Sequence, residues 1–102
     1  MKVQVVHIEA CPNWQEAGVR TRQALDALGL VETSVEYLQL RTEADVAAVA
    51  FAGSPTILVD GEDLFPSSGR TRDLACRIYA TEQGLRGTPT RAQLEAALQA
   101  HL

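Results

Sequence analysis

The sequence predicts a single α/β domain, a β-α-β-α-β-β-α sandwich with an extended segment between its hairpin and its last helix. Three observations carry that prediction. Residues 3–8 (VQVVHI) are β-branched and nearly continuous, which suits a strand covered on both faces. Ala17, Thr21, Ala24, Leu25 and Leu28 then recur at helical spacing along one face. Farther on, Asp60-Gly61 directly follows the apolar run TILV and marks a hairpin. At 102 residues, 46% of them apolar and 22% charged, the chain has material for one core but not comfortably for two.

The elements follow in order. Pro12 stands where a first helical residue is tolerated, because its missing N–H has no intrahelical partner there, so Cys11 is the expected N-cap of the first helix. Gly29 is the expected stop of that helix. Residues 33–40 (TSVEYLQL) read as a second strand. Thr42 and Asp45 stand at capping-box spacing and open a short helix through about Ala50, with Gly53 ending it. Residues 56–59 form the third strand, and the hairpin returns through Glu62–Phe65. Residues 66–73 (PSSGRTRD) are loop by composition. Residues 74–80 (LACRIYA) fit either a strand or a helical turn. After a turn around Gly84–Gly87, Thr90 and Gln93 cap a last helix that buries Leu94, Ala97 and Leu98.

Charge narrows the partners. A net charge of −4 argues against nucleic acid, whose phosphates need a basic face. Positive charge concentrates only in RTRDLACR (residues 70–77), where Arg70, Arg72 and Arg77 read as a solvated loop. No stretch has the form of a signal h-region or the length of a membrane span, so the expected setting is cytoplasmic and off the membrane, as a monomer or weak dimer. Two cysteines there rest reduced and are too few for a disulfide framework; they indicate reactivity, metal binding or burial.

Two features then converge. A cysteine at a helix N-cap faces unpaired amides and the positive end of the macrodipole, which favours the reactive thiolate. Gly53-Ser54-Pro55-Thr56 precedes a central strand, and proline at such an entrance implies a tight turn, for which a cis bond is one solution.

The strand–Cys-Pro–helix entrance, the Gly-Ser-Pro-Thr turn and the Asp-Gly hairpin together resemble the thioredoxin/glutaredoxin superfamily over nearly the whole chain. That resemblance implies a thioredoxin-like sandwich and a thiol-dependent oxidoreductase. It places Cys11 at the nucleophilic cysteine and Pro55 at a cis-proline. The Ser54 backbone then receives substrate, with Pro12 and Trp14 beside it. No bound cofactor is implied, only a disulfide or oxidised small thiol as substrate and glutathione or a similar thiol as co-substrate. The tail CRIYATEQGLRGTPTRAQLEAAL also resembles small bacterial thioredoxin-like proteins labelled as relatives of alkylmercury lyase, in which case Asp73 or Asp60 would supply an acid.

The chain departs from that pattern at Trp14, which stands where the second active-site cysteine belongs and so excludes a Cys-x-x-Cys disulfide. What remains is monothiol chemistry, or a resolving thiol from elsewhere. Within the chain that is Cys76, unless Cys76 simply packs as a small hydrophobe. Trp14 reads as a lid or helix-face hydrophobe, and His7 as a satisfied core histidine without standard zinc spacing to Cys11. The competing class is a non-catalytic thioredoxin-fold module that holds a soft metal, an organomercurial or a partner peptide. Whether the thiols cycle under mild reductant and oxidant separates the two.

Overall fold

Val3 and Val5 face one side of the first strand, β1 (Val3–His7), and Val6 faces the other, and all three are fully buried. A strand buried on both sides needs a layer on each, and the computed structural model, which describes residues 1–66 and 74–102, supplies them. β1 pairs in parallel with β2 (Val35–Gln39), from Val3 opposite Val35 to His7 opposite Gln39. On its other side it pairs antiparallel with β3 (Thr56–Val59), with Val6 opposite Thr56. β4 (Glu62–Asp63) closes a mixed sheet of order β2-β1-β3-β4. The Asp60-Gly61 turn has positive φ at both residues, 52° and 84°, as the two-residue hairpin requires.

One face is covered by α1 (Trp14–Ala27) and α3 (Arg91–His101). Ala17, Ala24 and Leu25 of α1 meet Leu94 and Leu98 of α3 over Val3, Val5, Ile57 and Val59. The opposite face is covered by α2 (Glu43–Ala47) and the chain after it. There Val46, Phe51 and Leu40 pack with Val6, Ile8, Leu58 and Cys11. Each buried Val, Leu, Ile or Phe among them contributes about 1.5–3 kcal/mol by leaving water. Both expected capping boxes form, Thr42 with Asp45 and Thr90 with Gln93, each satisfying two backbone amides. The result is a compact α/β fold with a mixed sheet and three helices among the described residues.

Several boundaries differ from the sequence reading. α2 ends at Ala47 rather than near Ala50, and Gly53 lies well beyond its end, because the chain turns to bury Phe51 under the sheet. Ala97 is only half-buried. The predicted turn at Gly84–Gly87 is instead a two-stranded ribbon of β5 (Tyr79–Thr81) and β6 (Gly84–Arg86). Every residue of β6 is exposed, so the sequence carries no alternation there to read. Most of the expected loop, with Arg70, Arg72 and Asp73, lies outside the described residues. Among the described residues no helix is long and apolar enough to cross a membrane.

Candidate functional site

Cys11 and Cys76 are joined by a disulfide across 65 residues of chain, with their Cα atoms 5.9 Å apart. The two halves differ in environment. Cys11 has no exposed surface and packs in the apolar cluster of Val6, Ile8, Leu40 and Phe51, whereas Cys76 is exposed.

Cys11 is not a helix N-cap. α1 starts at Trp14 with Asn13 as its cap, and the Asn13 carbonyl accepts from the Ala17 amide at 3.0 Å. Cys11 instead closes a turn, its amide donating to the Ile8 carbonyl at 3.4 Å while its side chain runs inward to Cys76. Pro12 is therefore not the first helical residue; it is exposed in the connecting turn. An apolar shell around a thiol favours its neutral form, so the N-cap argument for thiolate stabilisation does not carry over.

The partner arm is built on Ser54. Its amide donates to the Ala75 carbonyl at 2.8 Å and its carbonyl accepts from the Arg77 amide at 2.9 Å. Cys76 therefore sits in a parallel bridge directly opposite Ser54. The Ser54 hydroxyl, fully buried, accepts from the Ile8 amide at 3.1 Å and ties this turn to the chain leading to Cys11. The Ser54–Pro55 peptide is cis. Gly53 lets the arm approach closely. Its φ is 110°, and a Cβ there would lie 2.7 Å from the Arg77 Cβ.

Arg77 anchors the arm from below. It is buried and donates to the Asp63 carboxylate at 2.8 Å and to the Phe65 carbonyl. Its guanidinium lies 4.5 Å over the Tyr79 ring, and the Tyr79 hydroxyl donates to the Pro55 carbonyl. Burial pushes the Tyr79 phenol far above its ordinary range, so it stays a donor. Reading Arg77 as part of a solvated basic loop is thus corrected. The arm alternates, but against polarity: Leu74, Cys76 and Ile78 are exposed while Arg77 and Tyr79 are buried, so periodicity gave no signal for a buried Arg77.

Trp14 packs against the α1/α3 core, stacks on the His7 ring at 4.2 Å and meets Tyr37 edge-on at 5.5 Å. His7 is buried, but its Nδ1 has no hydrogen-bond partner among the described residues, so it is packed rather than satisfied. Burial lowers its pKa, with the Ile8 backbone acting in the opposite direction. Asp60 accepts from the Lys2 amide at 2.8 Å and terminates β3 at the end opposite Ser54, too far to serve as an acid at Cys11. Among the described residues no three His, Cys, Asp or Glu side chains cluster to hold a metal ion. The structure therefore brings together Cys11, Cys76, Ser54 and Pro55, with Pro12 exposed directly after Cys11 and Trp14 packed on His7 and the α1/α3 core. Comparison of the chain with protein-family models, curated proteins and solved structures found no match.

Proposed function

We propose that this protein is a thiol–disulfide oxidoreductase of thioredoxin-like type, in which Cys11 and Cys76 form the redox couple. The observation that carries the reading is the placement of Cys76. An exposed half-cystine lies opposite Ser54, immediately before a cis-proline, and bonds to a cysteine just past the first strand. The sheet order β2-β1-β3-β4, with β1 and β2 parallel, the hairpin antiparallel and helices on both faces, supports the thioredoxin-like part. Cys76 thus stands in for the second cysteine that Trp14 displaces. The substrate is a protein disulfide or an oxidised small thiol, glutathione serves as reductant, and the setting is cytoplasmic, where disulfides are rare and those that form are usually transient and catalytic or redox-sensing.

Equilibration in glutathione redox buffers followed by alkylation reports the potential. The expected value lies above about −300 mV, the region below which structural disulfides fall. Turnover of a small model disulfide should accompany it and vanish in both Cys11→Ser and Cys76→Ser. A more negative potential without turnover leaves only a structural cross-link and sinks the proposal. Two thiols this close would also grip a soft cation, so mercury binding without turnover would favour the binding module instead.

A further inference from the structure

We infer that Cys76, not Cys11, is the sulfur at which exchange partners enter and leave, with Cys11 as the buried resolving thiol. This rests on the thiol-exchange reading above and fixes its direction.

Access separates the two sulfurs. Thiol–disulfide exchange needs an external thiolate to touch the sulfur that it attacks, along the line of the bond that breaks. Cys11 exposes none of its surface, and side chains of both β1 and the α2 layer close around it. No external sulfur can reach it in the folded, oxidised protein. Cys76 is exposed, on the outward face of an extended arm between Leu74 and Ile78, both also exposed. A cleft of about 480 Å³ opens beside it, walled by Phe65, Ile78, Tyr79 and Gln93, with room for an incoming thiol.

The arm also explains how one sulfur can serve an outside partner and an inside one. Arg77, fixed to Asp63 and Phe65, and the two backbone bonds to Ser54 are independent of the disulfide. When the sulfur–sulfur bond opens, Cys76 stays tethered within reach of Cys11, which makes re-closure intramolecular and fast.

In reduction of the protein, a thiolate RS⁻ attacks Cys76 Sγ; the Cys76–Cys11 bond breaks, and Cys11 leaves with the electron pair and takes up a proton. The product is an RS–Cys76 mixed disulfide. A second RS⁻ attacks the RS sulfur, releasing RSSR and the Cys76 thiolate, so two electrons have entered the protein. In the opposite sense, the Cys76 thiolate attacks a substrate disulfide RS–SR′ and expels R′S⁻. Cys11, giving up its proton, then attacks Cys76 Sγ and expels RS⁻. The dithiol is oxidised and the substrate reduced.

The test uses wild-type protein first. Oxidised protein is mixed with glutathione, quenched early with an alkylating agent and digested with trypsin. Glutathione is expected on the short peptide spanning 73–77, with the alkyl group on the Cys11 peptide. Glutathione predominantly on Cys11, or equally on both, overturns the assignment. In the native single variants, Cys76 of Cys11→Ser should react with an aromatic disulfide reagent at least tenfold faster than Cys11 of Cys76→Ser. Denaturant should abolish that difference, which controls for altered folding. Equal native rates overturn the assignment as well. The two readings fail separately. Adducts on Cys76 without substrate turnover remove the oxidoreductase and leave the entry sulfur. Turnover with adducts on Cys11 does the reverse.

Discussion

The Arg77 guanidinium and the Asp63 carboxylate meet at 2.8 Å, with their side chains only 7% and 13% exposed. The pair links the arm that carries Cys76 to the hairpin strand β4, and its burial makes the two partners unequal in their consequences. Removing the carboxylate strands a buried cation. Removing the cation together with its charge leaves a carboxylate that is closer to water.

Asp63→Ala is therefore expected to destabilise the fold by about 3–5 kcal/mol, the cost of breaking one side of a buried ion pair. Arg77→Met, which keeps much of the packing against Tyr79, should cost less. Urea unfolding of both variants measures the difference. Equal or reversed losses would show that the pair is not buried in solution.

Gly53 supplies a second test of the arm. Alanine there meets two penalties, a φ of 110° and a Cβ 2.7 Å from that of Arg77. Gly61 is the control, since its φ is 84° and nothing lies within 4 Å of its Cβ position. Gly61→Ala should lose about 1–3 kcal/mol from backbone strain alone. Gly53→Ala should lose more and also weaken the Cys11–Cys76 bond against glutathione, because the arm must withdraw. Comparable stabilities and unchanged redox equilibrium in the two variants would contradict the close packing of the arm on Gly53.

How much of this was legible beforehand follows from where each signal resides. The strands at Val3 and Thr56, the Asp60-Gly61 turn and both capping boxes depend on neighbours in sequence, and they stand where local chemistry puts them. The cis Ser54–Pro55 bond agrees with a proline at a strand entrance. Cys11 misled because Cys-Pro before an amphipathic run has the form of a capped helix, and only the tertiary pull of Cys76 shows why the chain turns inward first. Arg77 misled because charge in a short basic run reads as solvated, whereas its partner Asp63 is 14 residues away. The β5–β6 ribbon was silent, since Leu85 and its neighbours are exposed and leave no periodic trace.

The disulfide has a thermodynamic consequence apart from its chemistry. Closing a loop across 65 residues restricts the unfolded chain. By the chain-entropy relation that amounts to about 4 kcal/mol. Oxidised protein should exceed reduced protein in unfolding free energy by roughly that amount, with Cys76→Ser matching the reduced form. Denaturant curves in the presence and absence of a strong thiol reductant check it. A difference near zero would mean that the reduced fold regains the loss elsewhere.

His7 sets the mild-acid limb of stability. Its imidazole is buried against Trp14, and its pKa is lowered chiefly by burial. The folded protein thus resists protonation that the unfolded chain accepts at about pH 6.5. Between the folded pKa and that reference value the unfolded state binds more protons, so stability rises with pH across this window and is lost as pH falls through it. Asp45 and Asp60 act in the same direction but lower down, since backbone amides depress their carboxyl pKa values and that stability is lost only in the carboxylate range. The two limbs are therefore separable. His7→Phe keeps a ring against Trp14 and loses no hydrogen bond that Nδ1 makes among the described residues. Its unfolding free energy should stay level from pH 7 down to about pH 5, where the wild type declines. Parallel declines in the two proteins, measured by urea unfolding across that range, would show that His7 takes up its proton as readily in the fold as outside it.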